Sequence, residues 1–185
     1  MKRNLDFNNQ RWTFRPARLK YWGQFVQEKD KLGAILVAGL GEFERHLAPN
    51  ADICEVQGDY NNLNTSMDLH LQGMFFDTIY CFEVLEHLVN PGHLLKYLRY
   101  RLNAFGSIYV SFPTGRPIWL WTDGHFHEFQ RARAEIMFEM CGLRIERKTL
   151  TPRLWMPFFS YFKGIRPIFR LFWPLRCAIY ELRRG

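Results

Sequence analysis

The sequence predicts an α/β fold with a doubly wound, mostly parallel sheet and helices on both faces. Short apolar runs of strand length alternate with helix-like segments from about residue 32 to residue 150. Strands that alternate with helices usually pair in parallel, because each helix returns the chain to the same end of the sheet. A chain of 185 residues, 48% of them hydrophobic, is also long enough to bury the core of one such domain.

The first elements lead to a glycine-containing turn. Residues 16–31 begin with proline and place apolar side chains at helical spacing, which predicts a helix. The apolar run 34–38 predicts the first strand, and a Gly-x-Gly turn ends it. A short helix over 42–49 follows, and residues 52–57 predict the second strand.

The alternation continues through the second half of the domain. Residues 65–70 predict a weak third strand, and residues 76–82 predict a strong fourth. An amphipathic helix then runs from Pro91 to a stop at Gly106, because its leucines repeat at helical spacing. The remaining predicted elements are a fifth strand, a helix stopped by Gly142 and a sixth strand, over residues 107–113, 130–142 and 143–150.

The chain divides into three predicted parts. Residues 1–31 form an N-terminal helical segment, and residues 32–150 form a Rossmann-like domain. Residues 151–185 form a basic C-terminal tail rich in aromatic residues, interrupted by prolines that favour short helical pieces. The tail carries seven basic side chains and one acid, so it holds most of the chain's formal net charge of +7.

The tail has two interpretations. Its aromatic and aliphatic side chains can complete the domain core or the contact face of a homodimer. Alternatively, aromatic residues interleaved with lysine and arginine can lie on an anionic membrane surface. The second interpretation predicts a peripheral protein at the inner membrane surface.

The rest of the sequence predicts a cytoplasmic protein. The first residues, MKRNLDFNNQRWTF, are too polar for a signal peptide. We expect no transmembrane helix, because no run reaches ~18 uninterrupted apolar residues. The four cysteines are widely spaced, which argues against a structural zinc site and against a disulfide framework.

Candidate functional residues follow the predicted strands. Ligands of open parallel sheets bind at the carboxyl ends of the strands. Gly39 and Gly41 follow the first strand, Asp59 follows the second and Glu83 follows the fourth. Glycines let the backbone approach a ligand closely, and an acid about 20 residues after such a turn can accept both hydroxyls of a ribose.

These residues resemble the class I S-adenosylmethionine-dependent methyltransferases, in particular the methyltransferase type 11-like family. The block FDTIYCFEVLEHLVNPGHLLKYLRYRLNAFGSIYVSFP, residues 76–113, is similar to that family's most recognisable segment. Residues 58–70 and 124–145 are similar to two further segments, so the resemblance covers roughly residues 33–148. It implies a Rossmann-like methyltransferase that uses S-adenosyl-L-methionine.

The resemblance also implies a role for each matched residue. Gly39 and Gly41 lie against the methionine part of the cofactor, and Glu83 lies beside that part as well. Asp59, next to Tyr60, holds the ribose hydroxyls, while Asp68 and Leu69 flank the adenine. The implied cofactor-binding set is therefore Gly39, Gly41, Asp59, Tyr60, Asp68, Leu69 and Glu83.

Two departures from the family pattern favour an alternative function. Val37 stands where the family usually has an acid, and Phe43 stands in place of the usual third glycine. Without the acid, the ammonium group of the cofactor loses a partner, at a cost of ~1–3 kcal/mol if nothing replaces it. The alternative is a non-catalytic Rossmann-like module with a degenerate cofactor site that serves as an assembly partner.

The acceptor side is predicted from histidines. Methyl transfer mainly requires alignment of the acceptor with the S–CH₃ bond, and a hydroxyl acceptor is helped by a general base. His125 and His87 are the candidate catalytic residues, with His87 facing the acceptor side in the resemblance. We expect a small-molecule, glycan or lipid-linked acceptor and O- or N-methylation.

Two further classes of ligand are disfavoured by the sequence. We expect no metal, because the pair His125 and His127 has no third ligand nearby in the sequence. A nucleic-acid substrate is disfavoured, since the excess charge is confined to the tail and the loop that receives flipped bases is absent.

Overall fold

The computed structural model describes residues 15–39, 42–56, 73–115, 125–152 and 176–185. These residues contain a six-stranded sheet with helices packed on both faces. The predicted weak strand 65–70 lies outside the described residues. The strands are β1 Ala34–Val37, β2 Asp52–Glu55, β3 Phe76–Phe82, β4 Leu102–Thr114, β5 Leu143–Leu150 and β6 Arg176–Arg184.

The sheet is mostly parallel, as the sequence predicts. Its strand order is β2-β1-β3-β4-β6-β5. The pairs β1·β2, β1·β3 and β3·β4 are parallel. Strand β6 is antiparallel to both β4 and β5. The first four strands therefore present their carboxyl ends at one edge, where an open parallel sheet binds its ligands.

Four α-helices cover the sheet in the described part of the chain. They are α1 Arg15–Phe25, α2 Glu42–Leu47, α3 Pro91–Arg101 and α4 Arg131–Met140. The predicted helix 16–31 ends early, because α1 stops at Phe25 and a separate 3₁₀ turn spans Glu28–Lys31. The predicted stop at Gly142 is confirmed, since Gly142 directly follows the last turn of α4 with a φ of 72°.

The helices enclose two separate cores, one on each face of the sheet. On one face, Trp22 of α1 and Val26, just after α1, pack with Tyr80 and Phe82 of β3. On the other face, leucines of α3 and Phe138 of α4 pack with the alternate side chains of the same strands. Alternation along each strand explains the division, since successive side chains point to opposite faces.

The end of the chain is a strand of the sheet, which corrects the prediction of short helical pieces. Residues 176–184 form β6, and the six residues from Cys177 to Leu182 are buried. The sheet thus extends past residue 150 and takes in a segment that the sequence pattern assigns to a separate tail. Residues 153–175, which carry most of the tail's aromatic side chains, lie outside the described residues.

The bases at the end of β6 contact the protein itself. Arg183 pairs with Glu181 at 3.1 Å. Arg184 donates to the carbonyl of Tyr100 at 3.2 Å and also to that of Leu102. These two arginines therefore stabilise the sheet and the end of α3. Within the ranges that the structure describes, no helix has the length and hydropathy to cross a membrane.

The boundary between α3 and β4 differs from the predicted one. The sequence predicts a helix up to Gly106, whereas α3 ends at Arg101 and β4 begins at Leu102. Gly106 lies inside β4, where a Cβ would meet the carbonyl oxygen of Asp77 at 2.8 Å. The glycine is therefore required by the close approach of β3, a long-range contact, and does not end a helix.

A buried carboxylate on β6 is held by four neighbours. Glu181 is fully buried and accepts hydrogen bonds from Arg147 at 2.5 Å and from Arg183 at 3.1 Å. Ser107 donates to it at 3.2 Å and Gln27 at 3.4 Å. Burial by itself raises the pKa of Glu181, but the hydrogen bonds from the two arginines outweigh it and lower the pKa below its ordinary value.

Replacing Gly106 should destabilise the fold. We expect Gly106→Ala to lower the free energy of unfolding by about 2 kcal/mol, because the new methyl group must displace the β3 backbone. Gly92→Ala in α3 is the matched control, since its nearest neighbour would lie at 3.5 Å. Alanine there should stabilise the helix by about 0.5–1 kcal/mol. Urea unfolding measures both, and equal stability of Gly106→Ala and wild type would contradict the tight contact.

Removing the charge of Glu181 should have an effect that depends on pH. Glu181→Gln should lower the free energy of unfolding by about 3 kcal/mol at neutral pH, because it leaves the arginines without their buried partner. The folded pKa is depressed, so the carboxylate's contribution is present above its ordinary pKa of 4.5 and is lost as the pH falls through the folded pKa. The gap between variant and wild type should therefore close on acidification.

Urea unfolding of both proteins along a pH series measures this gap. The control is Glu146→Gln, whose side chain is 37% exposed and pairs with Arg144 at 3.6 Å. That change should stay within about 0.5 kcal/mol at every pH. A gap for Glu181→Gln that is the same at all pH values would show that folding does not lower the pKa of Glu181.

Candidate active site

The carboxyl ends of β1, β2 and β3 meet at one edge of the sheet. The amide of Ala38 donates to the carbonyl of Tyr80 at 2.8 Å, and the amide of Val56 donates to the carbonyl of Val37 at 2.9 Å. Gly39 follows with a φ of 131°, a conformation that side-chain-bearing residues rarely adopt. The turn after β1 therefore requires glycine at position 39.

Glu83 ends β3 in a strained conformation. Its φ is 55°, and it is the one residue other than glycine with a positive φ among the described residues. The left-handed region costs roughly 1–2 kcal/mol for an L-residue with a Cβ. Such strain is found mainly where a site requires it, because the surrounding structure must supply the compensation.

Contacts from two neighbouring strands hold Glu83 in place. Its amide donates to the carbonyl of Ser111 at 2.9 Å, and the Ser111 hydroxyl donates to Glu83 Oε1 at 3.0 Å. The Cys177 thiol, at the start of β6, lies 3.8 Å from Oε2. The side chain is buried, with 7% of the residue exposed. These contacts fix the carboxylate at the strand edge and offset the backbone strain.

A short turn after Glu83 carries two further polar side chains. Leu85–His87 form a 3₁₀ turn, and Asn90 then caps α3 by accepting from the amide of His93 at 3.2 Å. Leu85 is fully buried and anchors the turn. Glu86 is buried as well, and its Oε1 lies 3.9 Å from His87 Nε2. The turn therefore presents a carboxylate and an imidazole side by side.

The segment before α4 adds a second imidazole. The amides of Phe126 and His127 both donate to the carbonyl of Glu86, at 2.8 and 3.1 Å. The rings of His87 and His125 are 4.7 Å apart and nearly perpendicular. On its other side, His125 Nδ1 lies 3.0 Å from Oε1 of Glu128. The two predicted catalytic histidines are thus brought into contact although 38 positions separate them.

The structure places some of the predicted site residues at this edge. Gly39 and Glu83 lie at the ends of adjacent strands, and His87 and His125 form a pair just beyond Glu83. The other predicted cofactor contacts lie outside the described residues, namely Gly41, Asp59, Tyr60, Asp68 and Leu69.

The two departures from the family pattern have structural consequences. Val37 is fully buried in the core on one face of β1. Phe43 packs edge-on against Trp22 and Phe82, with ring centroids 6.2 and 6.1 Å apart. An aromatic contact therefore stands at the start of α2, where the family has a glycine.

Sequence reasoning missed four side chains of the site. Ser111 and Cys177 bind Glu83 from β4 and β6, and neither has a motif of its own. Glu86 lies inside the recognised block but has no role assigned by it, and Glu128 pairs with His125. The spacing of His125 and Glu128 by three positions was a local signal that could have found that pair.

Comparison with known proteins identifies the fold. No family model matches the sequence, and no curated protein matches it. A Burkholderia thailandensis 1,6-didemethyltoxoflavin-N1-methyltransferase with bound S-adenosylhomocysteine is similar in structure, with a TM-score of 0.63 and 12% identity over 96% of this chain and 82% of that one. The chain has the class I methyltransferase fold.

Two further solved structures support the same fold. A SAM-dependent methyltransferase from Archaeoglobus fulgidus has a TM-score of 0.60 and 12% identity, over 91% of this chain and 94% of that one. The [4+2]-cyclase SpnF has a TM-score of 0.61 and 14% identity, over 91% and 81%. Because a cyclase shares the fold with methyltransferases, function has to be argued from the site.

The conformation of Glu83 can be tested by comparing two variants. Glu83→Ala and Glu83→Gly both remove the carboxylate, but only glycine adopts a φ of 55° without strain. Glu83→Gly should therefore be more stable than Glu83→Ala by about 1 kcal/mol, the reverse of the usual order in regular structure. Chemical denaturation measures the difference. An alanine variant as stable as the glycine variant would show that residue 83 is not left-handed in solution.

Proposed function

We propose that this protein is an S-adenosyl-L-methionine-dependent methyltransferase that acts on a small-molecule, glycan or lipid-linked acceptor. The observation that carries the proposal is the pair of strand ends at Gly39 and Glu83. There a turn that requires glycine lies next to a buried carboxylate held in a strained conformation. The class I methyltransferase fold of the chain supports the same function, as does the resemblance of residues 76–113 to the type 11-like family.

Glu83 is proposed to contact the methionine part of the cofactor. S-adenosylmethionine carries a sulfonium and an ammonium, so a fixed carboxylate at this edge favours its binding. Gly39 and Gly41 lie against the same part of the cofactor in this proposal. Asp59 and Tyr60 hold the ribose.

Asp68 and Leu69 complete the proposed cofactor site by flanking the adenine. The carboxylate of Asp68 accepts a hydrogen bond from the exocyclic amine of the base in this arrangement. All the residues proposed for the adenosine follow β2 in the sequence, as expected for a sheet that binds ligands at its strand ends.

The two histidines are proposed to line the acceptor side. The methyl carbon passes from sulfur to an oxygen or nitrogen of the acceptor in line with the breaking bond, and S-adenosylhomocysteine leaves. Such a reaction depends chiefly on alignment and on the exclusion of water. For a hydroxyl acceptor, His125 takes the proton and His87 shapes the pocket, since a neutral imidazole nitrogen can accept a proton.

A non-catalytic assembly module is the second candidate function. The observation that favours it is the first turn of the sheet, where Val37 is buried in the core and Phe43 packs on Trp22 and Phe82. Neither side chain can bind the ammonium group of the cofactor. Under this alternative, the strand-end carboxylate of Glu83 is retained for the folding of the sheet.

Titration calorimetry with S-adenosylmethionine and S-adenosylhomocysteine separates the two functions. A methyltransferase should bind both ligands saturably with one site per chain. Absence of saturable binding of either ligand at millimolar concentration would favour the assembly module.

The charge of Glu83 should discriminate between the two ligands. Only S-adenosylmethionine carries the sulfonium, so Glu83→Gln should weaken its binding by about tenfold, or ~1.4 kcal/mol. Binding of S-adenosylhomocysteine should weaken less, by about two- to threefold. Calorimetry with both ligands measures this ratio, and Glu146→Gln is the matched control on β5. Equal weakening of both ligands would place Glu83 away from the sulfonium.

A further inference from the structure

Three side chains beyond the end of β3 converge on one point. Among the residues that the structure describes, Glu86, His87 and His125 each offer one donor atom, and these atoms lie within 4.8 Å of one another. One measured separation is 3.9 Å, between Glu86 Oε1 and His87 Nε2. An ion pair accounts for Glu86 and His87, but it does not account for the approach of His125 to the same point.

The hydrogen bond of His125 prepares one ring nitrogen for a cation. Its Nδ1 lies 3.0 Å from Oε1 of Glu128, and a carboxylate can only accept, so Nδ1 carries the proton. The lone pair is then on Nε2. An imidazole that donates one N–H to a carboxylate while its other nitrogen binds an ion is the usual arrangement of metal-bound histidines.

The protein holds these groups in place through the backbone. The amides of Phe126 and His127 donate to the carbonyl of Glu86, which ties the segment that carries His125 to the turn that carries His87. The Thr114 hydroxyl donates to the carbonyl of Phe129 at 2.8 Å and closes the other end of that segment. The site is therefore assembled by the fold and not by a mobile surface loop.

Burial makes the arrangement suited to an ion with one open side. The side chains of Glu86 and Glu128 are 2% and 4% exposed, and that of His125 is 7% exposed. His87 is more accessible, at 17%. Two nearly buried carboxylates beside two imidazoles favour a cation, and the side toward His87 gives it access to solvent or to a ligand.

We propose that Glu86, His87 and His125 bind a divalent first-row transition-metal ion, with Glu128 as the positioning residue of His125. Two imidazoles and one carboxylate suit zinc, manganese, cobalt or iron, and leave coordination positions open. Ligand atoms around such an ion lie roughly 3.3 Å apart, so the side chains need to close by about an ångström. This proposal replaces the expectation from the sequence that no metal is bound.

The ion would take part in the proposed function on the acceptor side. An imidazole nitrogen that binds a cation cannot accept a proton at the same time, so the ion would replace His125 in activating the acceptor. A hydroxyl bound at an open position loses its proton to water more readily, because the cation stabilises the resulting oxyanion. The preferred acceptor is then one with an oxygen that can reach the ion. Only this step depends on the proposed function.

Metal binding is tested on the full chain without cofactor or acceptor. Protein dialysed against a chelator is titrated with Zn²⁺, Mn²⁺ and Mg²⁺ by calorimetry, and Co²⁺ is added for its visible absorption bands. We expect one equivalent of a transition-metal ion to bind, together with a Co²⁺ spectrum that shows nitrogen and oxygen ligands. Mg²⁺ should bind far more weakly, since it prefers sites built of oxygen ligands.

Matched variants assign the binding to the named residues. His125→Ala and Glu86→Gln should each weaken binding by about 100-fold or more and remove the Co²⁺ bands. Glu128→Gln should keep one equivalent and weaken binding by about 10–100-fold. His127→Ala is the control, because His127 lies two positions from His125 but stacks on Phe129 and contacts the carbonyl of Val89. It should bind as wild type does.

Three results would overturn the proposal. They are no saturable transition-metal binding by wild type, equal binding by His125→Ala and His127→Ala, or saturation by Mg²⁺ alone. Circular dichroism of each metal-free variant shows that it is folded before titration, and Glu128→Gln keeps the test usable if Glu86→Gln does not fold. Because cofactor titrations are separate, loss of metal binding leaves the proposed methyltransferase function standing, and the converse also holds.

Discussion

The position of β6 between β4 and β5 is the constraint on which the rest of the structure depends. Residues 176–182 pair with β4 and residues 178–184 pair with β5, so one strand joins the parallel part of the sheet to its far edge. Without β6, both neighbours would expose unpaired backbone groups, which are costly to bury. This position also buries Glu181, whose charge is compatible with the core only because Arg147 and Arg183 reach it.

The direction of β6 connects the sheet to the site. Because β6 runs antiparallel to β4, its first residues lie beside the carboxyl end of β4, with Cys177 opposite Pro113. There the Cys177 thiol reaches Glu83, which Ser111 of β4 also binds. The left-handed backbone of Glu83 is thus stabilised by β4 and β6, which lie on the side of β3 away from β1. The strained backbone of Glu83 therefore depends on contacts across the sheet, which the residues next to it in the sequence do not provide.

Local patterns predicted the parts of this molecule that depend on local physics. Strand β3 and strand β5 follow from their apolar and β-branched residues, and the end of α4 follows from Gly142. Long-range contacts were beyond these patterns. Gly106 resembles a helix stop until β3 is placed against it, and residues 176–184 resemble an amphipathic tail until two strands pair with them. In the site, His125 and His87 were each predicted from the sequence. Their contact was not, because it depends on how the segment before α4 folds against the turn after β3.

The charges of the site differ in position from those the family pattern implies. That pattern has an acid on β1, where this chain has a buried valine at position 37, and a glycine where Phe43 packs on the aromatic core. Glu83 and Glu86 are carboxylates at or just beyond the end of β3, and Glu128 lies beside them through its contact with His125. Glu55, at the end of β2, pairs with Arg45 at 3.0 Å, while Glu86 and Glu128 lie beside the two histidines. A cation in this crevice would be attracted by these carboxylates, because charges in a buried crevice are screened less than in water.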